Sequence, residues 1–253
     1  MTLALSLPAI QTLMLVSVRL IAFMIVAPPF SYRAFPGTVR MMIALGVALA
    51  IYSGSMIEVR SFDTGPYVLA IILEAFVGFA LGFLVYLVFQ AVSTAGSLLD
   101  QMGGFAMAAS FDPMNFTQNT PMGRLFQMTT LVLLFASNGH LIILSGLMKT
   151  FHAIPLGSGV PVASLGSTAT EQFGQMFVAA VQIAGPLLIV LLLADVGLGL
   201  LTRVAPALNA FAMGFPLKIY LTLALGSLTY LTLPNATETL LKDGMRAIFG
   251  VVT

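Results

Sequence analysis

The stretch PYVLAIILEAFVGFALGFLVYLVFQAV, residues 66–92, decides the fold class, because Glu74 is its only charge in a run longer than a lipid bilayer demands. A hydrocarbon core of ~30 Å is crossed by about 20 helical residues at ~1.5 Å each, so this run reads as a membrane helix that must tilt, kink or protrude. Five more apolar runs lie near 8–28, 39–57, 124–148, 172–202 and 216–234. The expected fold is therefore all-α, an integral membrane protein of about six hydrophobic helices. Of the 253 residues, 59% are apolar and 8% charged, where an average soluble domain carries about 25% charged residues. Such a chain cannot clothe itself for water, and one membrane-embedded unit is expected over 1–253. Arg19, the first charge, lies inside the first run with no basic region before it, so that run is expected to be a retained helix rather than a cleaved signal.

Breakers mark the connections: Ala27-Pro28-Pro29, Thr64-Gly65-Pro66, Val204-Ala205-Pro206 and Phe215-Pro216. Two connections are longer, a mixed one over 93–123 and a Gly-, Pro- and Ser-rich one over 149–170 that reads as an exposed loop. Pro186, inside the fifth run, lacks an amide donor and predicts a kink. Beyond Pro234, Leu241, Met245, Ile248 and Phe249 fall at helical spacing opposite Glu238, Lys242, Asp243 and Arg246. This predicts a short amphipathic tail helix over 235–253, interfacial or docked on a partner. If six helices alternate, one side collects Arg33, Arg40, Arg124, Arg203 and Lys218, and the other Arg60, Lys149, Lys242 and Arg246. The clustering of the first set in short loops favours that side as cytoplasmic, with both termini outward.

Several chemistries are excluded. Cysteine is absent, which removes disulfides, thiolate metal sites and cysteine nucleophiles. A net charge of +1 does not suit a nucleic-acid partner. His140 and His152 lack the companions of a zinc site or a hydrolytic triad, and no phosphate-binding loop is present. No enzymatic activity, metal or cofactor is expected, so energy for any transport must come from elsewhere.

Arg19, Glu74 and Asp195 stand within apolar runs, where an unpaired charge costs at least ~2.5–3.5 kcal/mol at the bilayer centre. Either they form an ion or proton relay, or Arg19 neutralises a carboxylate at a helix or subunit contact. The second is favoured, because three groups are few for a relay. Gly78 and Gly82 form a GxxxG pair on the third run, with Gly197 and Gly199 on the fifth, and predict close helix packing within the chain or between chains.

Residues 101–124 are the most unusual. Met102, Met107, Met114 and Met122 interleave with Phe105, Phe111 and Phe116, broken by Gly103, Gly104, Asp112 and Pro113. The segment is too interrupted for a spanning helix and too apolar for a solvated loop. Irregular backbone at membrane depth is tolerated only when buried in protein or lining a water-filled cavity. Methionine contributes soft bulk that re-packs against different surfaces. A deformable hydrophobic constriction is expected, with Gly103 and Gly104 as its hinge; the alternative is a buried re-entrant loop with no gating role.

Three collinear segments then become recognisable: Gln101-Met102-Gly103 running to Phe111-Asp112-Pro113, Ser137-Asn138-Gly139-His140-Leu141, and Thr202-Arg203-Val204-Ala205-Pro206 through Met213-Gly214-Phe215-Pro216-Leu217. Together with Arg33-Ala34-Phe35-Pro36 before Arg40, they resemble the FliR family of flagellar export proteins across essentially 1–234. The resemblance implies one copy assembling with about five FliP and about four FliQ subunits into a helical export gate, next to FlhB. It also implies a place in the bacterial inner membrane, within the flagellar basal body, and unfolded export substrates as cargo.

In that family the connection between the third and fourth helices forms a plug in the pore, which carried over falls on Phe105 to Met122. The resemblance further implies a FliP-like portion over 1–170 and a FliQ-like hairpin over 171–234, with Arg203, Pro206, Phe215, Pro216 and Lys218 at a cytoplasmic tip. The equivalent subunit of a virulence injectisome shares the pattern. Two other classes fit less well: a small-solute secondary transporter, whose inverted repeats are not visible, and an intramembrane enzyme, which lacks a nucleophile with a base.

Overall fold

The computed structural model describes residues 6–32, 35–53, 57, 59, 61–105, 121–206 and 210–250. Among the described residues are seven α-helices and no strand: α1 (Leu7–Val26), α2 (Gly37–Ser53), α3 (Thr64–Met102), α4 (Pro121–Ala136), α5 (Gly139–Ala153), α6 (Val162–Val204) and α7 (Ala210–Gly250). All six apolar runs land on helices. Three of these, α1, α3 and α6, are long and apolar enough to cross a membrane, and α4 with α5 make a fourth if counted as one bent span. The fold is that of a multi-pass membrane protein, with fewer clear spans than the six expected. The shortfall has two causes. At 17 residues α2 is less than a full span, and the apolar run of α7 is diluted by Pro216, Lys218, Tyr220, Thr222, Thr229 and Tyr230.

The helix boundaries differ from expectation where local signals are overruled. The run 124–148 is two helices, bent by 75° at Ser137-Asn138. Asn138 adopts a left-handed backbone (φ 56°), which Asn tolerates better than most residues. Conversely, α3 continues past 92 to Met102, and α6 begins at Val162, well before 172. Both α6, through Pro186, and α7, through Pro216 and Pro234, run on as single helices. Prolines are accommodated in membrane helices when neighbouring groups satisfy the freed backbone.

The chain folds as two compact units. One comprises 1–88, 137–173 and 241–253, the other 89–136 and 174–240.

The first unit is organised by a glycine seam. A Cβ added at Gly78 would press on the carbonyl oxygen of Arg19 and come within 2.8 Å of Ala22 Cβ; one at Gly82 would lie 2.9 Å from Phe23 O and 3.2 Å from Val26 Cβ. The backbones of α1 and α3 meet here with no side chain between them, as membrane helices do at small-xxx-small pairs. This contact lies within the chain.

The end of α7 also docks in this unit. Gly146 of α5 forms a notch that receives the Met245 thioether, with Sδ 2.9 Å from where a Cβ would stand, and Gly244 seats on Val88 Cγ2 at 2.5 Å. Leu241 is buried. The expected separate tail is thus the end of α7, seated on its own chain. The side chains of Ile248 and Phe249 lie outside the described residues.

The second unit has an apolar core of Val92, Leu99, Phe126, Ala184, Leu187 and Leu233, with Ala95, Ala180, Ile183 and Leu191 around them. The Phe126 and Tyr230 rings meet edge to face at 5.2 Å, a favoured geometry for aromatic pairs. Met102 and Phe105 pack against this core.

Replacing Gly78 by Leu should destabilise the protein in detergent by at least the ~1–3 kcal/mol of an overpacked core. Gly46→Leu, on a face of α2 with nothing within 4 Å, should leave the thermal midpoint almost unchanged. Equal midpoints for the two variants would reject the seam.

Candidate functional site

Arg19, Glu74 and Asp195, the three charges expected within the apolar runs, each have a partner. Arg19, on α1, and Glu74, on α3, are both wholly buried. The guanidinium grips the carboxylate through two parallel hydrogen bonds, Nε to Oε2 and Nη2 to Oε1, the latter at 3.0 Å. Its remaining reach goes to the end of α5: Nη1 donates to Thr150 O at 3.4 Å and Nη2 to Ile154 O at 3.1 Å. Thr150 O, in the last turn of α5, also accepts Ile154 N–H at 2.8 Å, and Ile154 is the C-cap; at this negative end of the helix dipole a cation is well matched. The Phe151 ring lies 4.4 Å from Arg19 Cζ and adds a cation–π contact.

Glu74 does more than neutralise Arg19. Its Oε1 also accepts the backbone N–H of Gly157 at 2.8 Å, fixing the loop after α5. Gly157 takes φ +77°, with Phe62 and Ala70 against it, a conformation that favours glycine. The spacing explains the arrangement. Gly78 lies one turn after Glu74 on the same face of α3, and its missing side chain lets α1 come close enough at Arg19 for the side chain to reach back to Glu74.

Asp195 belongs to the other unit. On α6, it meets Lys218 of α7 at 2.5 Å, in a pair whose side chains are 38% and 18% exposed. The pair ties the two long helices. Lys218 therefore stands two turns inside α7. Arg203 and Pro206 are exposed at the end of α6, Pro216 is exposed, and Phe215 is partly buried.

The second unit also builds the two posts from which the Met- and Phe-rich segment leaves and returns. On the outgoing side, α3 ends at Met102, and a Cβ on Gly103 would fall 2.5 Å from Thr222 Oγ1. Gly104 has φ +86° and lies against Phe215, with 3.1 Å from a Cβ site to Cδ1. Both glycines are pressed onto α7, and Phe105 follows against the core. On the returning side, Met122 is buried in the first turn of α4. Met107, Phe111, Met114 and Phe116 lie outside the described residues.

Asp100 was not among the expected site residues. It is 1% exposed, and its carboxylate accepts two backbone N–H groups at the start of α4, Met122 N on Oδ1 and Gly123 N on Oδ2, each at 3.0 Å. These are donors with no partner inside the helix. No local spacing points to it, because its backbone partners lie 22 and 23 residues further along the chain.

No group of three or more His, Asp or Glu able to hold a metal occurs among the described residues. The arrangement is suited to fastening backbone within an apolar fold. Breaking a buried pair by removing one partner costs about 3–5 kcal/mol, whereas removing both is far milder. Arg19→Leu and Glu74→Leu should each lower stability in detergent by roughly that amount, and the double variant should recover much of the loss. Additive losses would show that the pairing is not what holds the two helices.

Comparison with known proteins gives this geometry its context. The family model "Bacterial export proteins, family 1" matches residues 10–244. The chain is 34% identical over 209 residues to flagellar biosynthetic protein FliR of Escherichia coli (strain K12), covering 82% of this chain and 79% of that one. It is 31% identical to the Bacillus subtilis (strain 168) protein of the same name, covering 81% of each chain. It is also 32% identical to Yop proteins translocation protein T of Yersinia pestis, covering 79% of this chain and 78% of that one. A multi-pass helical chain matched over nearly its whole length in this way belongs to family 1 of the bacterial export proteins.

Proposed function

We propose that this protein is a non-enzymatic subunit of a flagellar protein export gate, and that its segment 105–122 stoppers the passage through which unfolded flagellar subunits cross the inner membrane. Family membership makes the chain a component of a type III export apparatus. The finer role is supported chiefly by one observation: the segment richest in Met and Phe leaves and returns on two posts packed into the core of one compact unit. A stopper needs both properties. Its body must yield to arriving polypeptides of many sequences, and its attachments must not.

The mechanism is steric and hydrophobic. Soft side chains exclude ions and water from the closed gate and re-pack around an extended chain without binding any one sequence strongly. Gly103 and Gly104 permit the turn at which the segment departs. The partners would be FliP and FliQ, in the about five and about four copies that the family resemblance implies, with FlhB alongside. In this arrangement 1–170 is the FliP-like portion and 171–234 the FliQ-like hairpin, its Arg203-to-Lys218 end facing the cytoplasm in the basal body. The likeness to the Yersinia protein at 32% identity supports a second version of the same role, in an injectisome.

Shortening the segment between Phe105 and Met122 should raise small-ion leakage through membranes carrying the assembled gate. Leakage equal to that of the unaltered protein, with the assembly intact, would overturn the stopper role. Restoration of motility in a flagellar strain lacking its own subunit, without restoration of injectisome secretion, would assign the flagellar version.

A further inference from the structure

We infer that Asp100 is a positioning residue for the gate: it fixes the first turn of α4, and with it the point at which the stopper segment rejoins the fold. The inference rests on the proposed stopper role and adds to it the group that holds the stopper's returning end.

Four observations converge on this point, all within one compact unit. Asp100 is buried, and both of its oxygens accept backbone N–H groups of the α4 first turn, at 3.0 Å each. Pro121, at the head of that helix, has no N–H, so Met122 and Gly123 are its first donors, and the carboxylate takes both. Gly96 lies one turn before Asp100 on the same face of α3, and a Cβ there would stand 2.6 Å from Gly123 Cα and from Met122 O. The α4 start is therefore in backbone contact with α3, and no side chain other than hydrogen could occupy position 96 without pushing it away.

The charge sign suits the role. A carboxylate at a helix N-terminus meets the positive end of the dipole and makes charge-assisted hydrogen bonds. In an apolar interior the alternative for those N–H groups is to go unsatisfied, which is costly. Loss of the cap should therefore free the first turn of α4 before it disturbs the rest of the helix. Asp100→Asn keeps one acceptor oxygen of the two and should have the smaller effect.

The sequence contains no cysteine, so single spin labels can be placed in the full chain, assembled with its export partners in vesicles. One label replaces exposed Arg124 beside the clamp, the other Met128 one turn further on. In Asp100→Ala the Arg124 label should show roughly fivefold more mobile component, the factor expected from losing a helix cap. The Met128 label should be unchanged, and ion efflux should rise above that of the unaltered gate. Asp100→Asn should fall between the two in both readouts. An unchanged Arg124 label, or equal mobilisation of both labels, would overturn the inference. A gate shortened between Phe105 and Met122, measured in the same vesicles, separates the two proposals. If shortening raises efflux and Asp100→Ala does not, positioning by Asp100 fails while the stopper stands. If neither raises efflux, the stopper role itself fails.

Discussion

A guanidinium left unpaired among apolar helices would be prohibitively unfavourable, and the first unit of this protein is arranged around preventing it. Arg19 reaches Glu74 only because Gly78 lets α1 and α3 touch backbone to backbone, and the pair then binds the last carbonyls of α5 and the amide of Gly157. One ion pair thus holds α1, α3, α5 and the following loop together. Such a pair adds little net stability over an apolar substitute, but it penalises every arrangement that separates its members. In lipid, where apolar packing alone discriminates weakly between helix faces, that penalty selects one register.

The same device recurs further along α3. Glu74 with Gly78, and Gly96 with Asp100, are each a carboxylate and a glycine one turn apart on one face. In both cases the glycine admits foreign backbone and the acid accepts hydrogen bonds from N–H groups that the membrane interior could not satisfy. The 39-residue helix α3 thereby carries one such fastening point in each compact unit. Lys218 and Asp195 tie α6 to α7 by a more exposed pair.

Much of this was legible in the sequence, for physical reasons that also explain what was not. Length and apolarity place each apolar run on helix, because a bilayer imposes both, although one run holds two helices. The need of Arg19 for a carboxylate follows from its setting, and the Gly78 and Gly82 spacing announces a close approach. Proline misled: Pro216 and Pro234 read as stops by soluble-protein rules, yet α7 passes through both. The small, polar trio Ser137-Asn138-Gly139 was lost inside an apolar run, although Asn138 is where the chain turns left-handed. Asp100 was lost because its partners are backbone groups more than twenty residues away, and spacing along a chain does not reveal such contacts. The tail's amphipathic pattern pointed to an interface or a partner, whereas the dock, Gly146 and Val88, is on the same chain and the tail is the end of α7.

Exposed apolar faces on α2 and α6, including Met41, Met42, Leu192 and Leu193, leave room for lipid and for neighbouring subunits alike. The central claim is that this chain completes a conduit with other proteins. The most direct test is its native mass after co-expression with FliP and FliQ partners and extraction in mild detergent. The account predicts one copy of this chain in a complex with several copies of each partner; a stable, monodisperse monomer beside a partner assembly that lacks it would contradict the account.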